Sequence, residues 1–188
     1  MRNPHENPTR IGIVVGSLAA KSINRRLATA ITHLIGDRAV CVDIPIDIPL
    51  YNYDLDDNVP AAVHAMKRQF ANLDGALFAT PEYNRSMPAA LKNVFEWGMR
   101  PWPQNIFKGM PAGIVGAAPG SIGTALAQHD LRNTLAHIGM PTLTLPEVFL
   151  TYRDEDFDNG HVVCERTRAY LQEWVDSFLA HVELHRQS

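Results

Sequence analysis

Short apolar runs alternate along this chain with segments whose apolar positions recur at helical spacing. Residues 11–15 read IGIVV, an unbroken run that predicts a strand buried on both faces. From Ser22 to Ile35 the apolar positions Ile23, Leu27, Ile31 and Leu34 share one helical face, and Gly36 marks a stop. Residues 39–42 predict a second strand, and a loop rich in Pro, Asp and Asn runs on to Asn58. Pro60 opens a helix with Val59, Val63, Met66, Phe70 and Leu73 facing the core. Residues 75–80 predict a third strand that Pro81 ends, and Pro88 then opens a helix reaching Trp97. A fourth strand is expected at 112–115, ending at Gly116, with a helix at 124–138 capped by Gly139. Residues 142–145 predict a short fifth strand, and 164–182 a last helix with Tyr170, Leu171, Trp174, Phe178 and Val182 inward. Between them, 157–163 reads as two short extended pieces bent at Asn159-Gly160.

Five strands separated by helices imply a parallel sheet with right-handed crossovers, covered on both faces. The expected fold is α/β, a flavodoxin-like doubly wound five-stranded sheet in the order 2-1-3-4-5. In that arrangement a ligand lies at the carboxyl ends of strands 1 and 3, so the turns after strands 1, 3 and 4 should converge on one crevice.

Composition narrows the partners more than the chemistry. The 188 residues fit one domain, expected over 11–188, with residues 1–10 (MRNPHENPTR) a loose polar tail lacking the apolar region of a signal peptide. A net charge of −3 gives no footprint for nucleic acid or an anionic membrane, and no apolar run is long enough to cross a bilayer. Two cysteines, Cys41 and Cys164, stand far apart in no paired motif, which suits a reducing, cytoplasmic setting.

The three turns carry the candidate chemistry. The first, GSLAAKSIN at 16–24, leads into a helix whose free N–H groups favour a phosphate, with Ser17, Ser22 and Asn24 adding short polar groups and Lys21 a charge. It is neither a P-loop nor a dinucleotide fingerprint, and Ser22 also reads as a simple N-cap. The second, TPEYN, offers Pro81, Glu82, Tyr83 and Asn84, a mixture of backbone and flat apolar groups that suits a flavin ring. The third, GAAPGSIG at 116–123, has small residues that let a planar ligand approach the backbone.

These residues resemble the NAD(P)H-dependent FMN reductase family, whose relatives include quinone, chromate and azo-compound reductases. The resemblance covers roughly 10–180 and rests on GSLAAKSIN, on TPEYNRSMPAALKNVFEW, and on GSIGTALAQHDLR. It implies non-covalent FMN, reduction by NADPH or NADH, a small-molecule electron acceptor, and assembly as a homodimer or homotetramer. By matching position, Ser17, Ser22 and Asn24 would hold the phosphate, with Lys21 adding charge from nearby and Ile23 counted among the cofactor-binding residues. Pro81, Glu82, Tyr83 and Asn84 would border the ring, with Gly116, Gly120, Ser121 and Gly123 against ring or ribityl chain. No side chain is assigned as acid, base or nucleophile. One departure is Ala19, where the family usually has an arginine, so weaker FMN retention is expected.

Other readings compete with this one. A Ser-His-Asp esterase would need Ser17, Asp158 and His161 to meet. A flavodoxin-type carrier would share fold and cofactor but is usually far more acidic. His181 and His185 have metal-ligand spacing but read as a surface pair, His129 and His137 lie too far apart, and Cys164 reads as a helix-start residue. Trp97 and Trp102, between prolines, mark either core or a subunit interface.

Overall fold

The structure is a computed structural model and describes residues 8–186. Five parallel strands stand in the order β2-β1-β3-β4-β5, as expected: β1 (Arg10–Val15), β2 (Val40–Asp43), β3 (Gly75–Ala79), β4 (Ala112–Ala118) and β5 (Phe149–Thr151). Five helices cover the sheet: α1 (Ile23–Ile35), α2 (Ala61–Phe70), α3 (Ala89–Gly98), α4 (Ala125–His137) and α5 (Glu165–Arg186). A two-stranded hairpin, β6 (Phe157–Asp158) and β7 (His161–Val162), turns at Asn159 and Gly160, both at positive φ.

Unbroken apolar strands follow from burial on both sides. Ile11, Ile13, Val15, Leu77, Ala79, Val115 and Ala117 pack with α1 and α5 on one face. Val14, Ala76, Phe78 and Ile114 pack with α2, α3 and α4 on the other. Each pleat therefore feeds a different core, and no position along the strand can be polar.

Three expectations need correction. The fifth strand is not at 142–145. Thr142 makes one isolated bridge to Ala112, and the ladder resumes only where Phe149–Thr151 pairs with Gly116–Ala118. Pro146 removes a backbone donor between the two stretches, so pairing cannot run through. The fourth strand also runs three residues past 115, placing Gly116 inside the sheet. The tail ends earlier than residue 10: Thr9 O accepts from Val40 N at 2.7 Å and Arg10 opens β1. The rest of that expected tail, residues 1–7, lies outside the described residues.

Candidate functional site

The first two turns are joined directly at the carboxyl edge of the sheet, where Gly16 N donates to Ala79 O at 2.8 Å. Ser17 is buried there, and its Oγ accepts from Ala19 N at 3.3 Å. Ser22 caps α1, its Oγ accepting from Arg25 N at 3.2 Å. The next two N–H groups, of Ile23 and Asn24, have no acceptor within the chain among the described residues. The hydroxyls of Ser17 and Ser22 accept these bonds and keep their own protons to donate, and Lys21 is exposed beside them. Unspent backbone donors, two hydroxyls and a cation at a helix start are groups able to take up an anion such as a phosphate.

Asn24 does something else with its side chain. Nδ2 donates to Ala117 O at 3.0 Å and Oδ1 accepts from Ala117 N at 2.9 Å, in a 2% exposed position. The side chain expected to hold a phosphate instead pins the start of α1 to the end of β4, leaving only its backbone N–H for an anion.

The second turn is a tight one. Tyr83 and Ser86 exchange backbone hydrogen bonds at 3.0 and 3.1 Å across Asn84 (φ 52) and Arg85 (φ 70). Left-handed backbone is unusual for arginine, so external ties must hold it. Two exist, both to α4: Ser86 Oγ donates to the Asp130 carboxylate, and Glu82 Oε2 accepts from the N–H groups of Leu126 and Ala127. Tyr83 is half exposed. The N–H groups of Glu82 and Asn84 have no acceptor within the chain among the described residues.

The third turn divides its glycines by purpose. At Gly116 a Cβ would sit 1.7 Å from Thr124 Oγ1, so packing against α4 demands the glycine. Gly123 has φ 62 and would meet the Phe149 backbone at 2.9 Å. Gly120 has open space around it, and the N–H groups of Gly120 and Ser121 have no acceptor within the chain among the described residues. Leu18, Tyr83, Ile122 and Leu126 are exposed apolar side chains on these turns and the first turn of α4. Two cavities of about 540 and 390 Å³ lie elsewhere, beside the start of α5 and between α1 and the hairpin, and contain no residue of the three turns.

The structure fits FMN at both ends: an uncommitted phosphate cradle at α1, and uncommitted backbone donors on the second and third turns for a polar ring edge. The competing constellations do not assemble. His161 stacks on His33 with centroids 4.0 Å apart, eleven residues down α1 from Ser22, or roughly 16 Å along the axis. Ser17, Asp158 and His161 thus form no triad. His181 Nε2 is engaged by Pro141 O at 3.0 Å, and no metal-ligating group of three forms among the described residues. Cys164 sits just before α5, its carbonyl accepting from Arg168 N. Trp97 is core, its Nε1 donating to Pro49 O at 2.7 Å, whereas Trp102 is 72% exposed.

Sequence reasoning missed the bracing roles of three amide and acid side chains, of which the two asparagines are buried and Glu82 is half-buried. Asn24 and Glu82 are two; Asn93 on α3 is the third, holding Tyr51 N and Pro49 O of the loop after β2. For the two asparagines, a polar residue at a helix position whose neighbours are buried was the available signal; Glu82, in a turn, carried none.

Residues 9–154 match the family model of NADPH-dependent FMN reductases. The chain is 41% identical to a 2-hydroxy-1,4-benzoquinone reductase of a Burkholderia species, over 92% of this chain and 96% of that one. It is 36% identical to a quinone reductase of Pseudomonas putida, over 94% and 96%. Among solved structures it resembles FerB, a flavoenzyme NAD(P)H:(acceptor) oxidoreductase from Paracoccus denitrificans, with TM-score 0.92, 38% identity and coverage of 94% and 98%. With this sheet order and these matches, the chain belongs to the NADPH-dependent FMN reductase family of oxidoreductases.

Proposed function

We propose that this chain holds FMN across the three turns and passes electrons from NAD(P)H to quinone-type acceptors by a ping-pong cycle. The observation that carries the placement is the pair of unspent N–H groups at the start of α1, beside Ser17, Ser22 and Lys21. FMN, when bound, accepts a hydride from the nicotinamide and releases electrons to the second substrate. The chain's residues hold and orient. Ile23 and Asn24 N–H, the two hydroxyls and Lys21 would bind the phosphate. Pro81, Tyr83 and the backbone of Glu82 and Asn84 would border the ring, with Gly120 and Ser121 on the opposite turn. Backbone donors aimed at the ring's polar edge favour charge that develops there during reduction. Positioning of this kind supplies several kcal/mol of a barrier without acid, base or nucleophile.

The exposed Leu18, Tyr83, Ile122 and Leu126 support flat, apolar acceptors at one shared open face, where nicotinamide and acceptor take turns. Exposed Leu50, Tyr53 and Trp102 support a homodimer or homotetramer. Their segments adjoin: Asn93 and Trp97 hold the 48–51 loop on α3, and Arg100 lies over the Tyr51 ring at 5.3 Å. No helix among the described residues is long and apolar enough to cross a membrane, and we place the protein in the cytoplasm.

Ala19, exposed in the first turn, leaves Lys21 as that turn's charged side chain. FMN retention is accordingly weaker than is usual in the family, and a low-salt dialysis that leaves the protein fully yellow would count against this. Purified protein mixed with FMN should turn yellow, bleach on adding NADPH, and give parallel initial-velocity lines with a quinone. Intersecting lines would refute the cycle, and failure of the isolated protein to oxidise NAD(P)H would refute the enzyme.

A further inference from the structure

Of the two helices that follow the first and third turns, α1 and α4, only α1 has its positive end to spare. In α4 the side chain of Thr124, just before the first turn, makes no capping bond. Its Oγ1 accepts instead from Gln128 Nε2 at 3.0 Å. The cap comes from 44 residues upstream, where Glu82 Oε2 accepts from Leu126 N at 3.0 Å and Ala127 N at 3.2 Å. A helix start carries a partial charge near half a proton, and a full carboxylate more than cancels it. The same residue is followed at once by Tyr83 and by the left-handed pair Asn84 and Arg85, whose turn is tied to α4 a second time through Ser86 and Asp130.

We infer that the Glu82 side chain is a positioning and charge-setting group of the flavin site rather than a flavin ligand, whatever its backbone N–H contacts. Its carboxylate fastens the TPEYN turn to α4 and spends the positive end of that helix inside the protein. The inference rests on the FMN reading above. It gives the cleft a polarity: the α1 start is left positive for a phosphate, while the α4 start is held net negative beside the ring. A negative group there disfavours extra charge on the reduced ring, so Glu82 keeps the bound flavin a stronger reductant toward its acceptor.

Hydrogen exchange on the flavin-free protein tests the cap. In Glu82→Ala the amides of Leu126 and Ala127 should exchange about tenfold faster, because their hydrogen bonds are lost. Glu82→Gln keeps an acceptor oxygen and should restore most of the protection, and it remains a usable test should the alanine variant fold poorly. Unchanged exchange in both variants would overturn the cap.

Titration of wild type and Glu82→Gln with oxidised and with chemically reduced FMN tests the charge. The ratio of reduced to oxidised affinity should rise about tenfold in Glu82→Gln, a midpoint shift of about +30 mV for a two-electron couple. An unchanged or lowered ratio would overturn the charge-setting role even with the cap confirmed. Loss of oxidised FMN binding in Glu82→Gln with exchange unchanged would show instead that Glu82 contacts the flavin directly. A wild-type protein that takes up no FMN sinks the functional reading and the charge role with it, whereas the exchange result stands by itself on the cap.

Discussion

The starts of α1 and α4 face the same edge of the sheet and have been given opposite tasks. At α1, Ser22 satisfies the third N–H and the first two, of Ile23 and Asn24, are left without partners among the described residues, beside Lys21. At α4, the second and third N–H groups are already taken by Glu82. An N-terminus is a ready anion site only while its donors are unspent, so α1 keeps the capacity to take a charged tail that we propose it uses, while α4 anchors a turn. Fold position alone makes the two ends look equivalent.

The sharpest way to break this contrast is to cap α1 as α4 is capped. Ser17→Asp places a carboxylate at the cradle, where it competes for the free N–H groups and repels a phosphate. Like charges in near contact at a protein surface cost about 3 kcal/mol, so FMN affinity should fall about 100-fold while riboflavin binding barely changes. Fluorescence titration reads both, and an equal loss for the two ligands would put the phosphate elsewhere.

Next in size is the strut between the two ends. Asn24→Ala leaves Ala117 N–H and C=O buried without partners, which should cost about 3 kcal/mol of stability in denaturant unfolding. A loss under roughly 0.5 kcal/mol would mean that water replaces the clamp without penalty.

These side chains also mark how far the sequence could be read. The strands were legible because burial on both faces makes them continuous apolar runs, as in IGIVV and GALFA. The fifth strand was not, since TLTL and FLT are both apolar and short, and only pairing with β4 decides between them. The three turns were placed correctly at one edge by the strand order alone. What individual polar residues do there was less legible. Asn24 meets its partner 93 positions away and Glu82 meets its partners 44 and 45 away, and a polar residue looks the same in sequence whether it faces a ligand or distant backbone.

Lys21 adjusts the α1 end more gently. As an exposed, flexible charge it should contribute several-fold to FMN affinity in Lys21→Ala, and the difference should shrink as salt approaches 0.5 M, where the Debye length falls to roughly 4 Å. A salt-independent loss would indicate a fixed hydrogen bond instead.

The smallest effect is a control away from both helix starts. A hydrogen bond from Arg38, then one from Gln172, holds the Asp176 carboxyl below the usual carboxylate range. Its stabilisation is therefore present above the unfolded value, near 3.9, and is lost as pH falls through the lower folded value. The pair is largely exposed, so Asp176→Asn should cost under about 1 kcal/mol at pH 7 and converge with wild type in stronger acid. FMN affinity should not move, and a shift would mean that surface charge anywhere on the protein tunes the cleft.

Whether the start of α1 is kept open for a phosphate can be read by titrating the flavin-free protein in parallel with FMN and riboflavin. The two ligands share a ring and differ in the tail, so the affinity ratio isolates the cradle. We expect FMN to bind at least 100-fold more tightly, in line with several charge-assisted hydrogen bonds. Equal affinities would contradict the account.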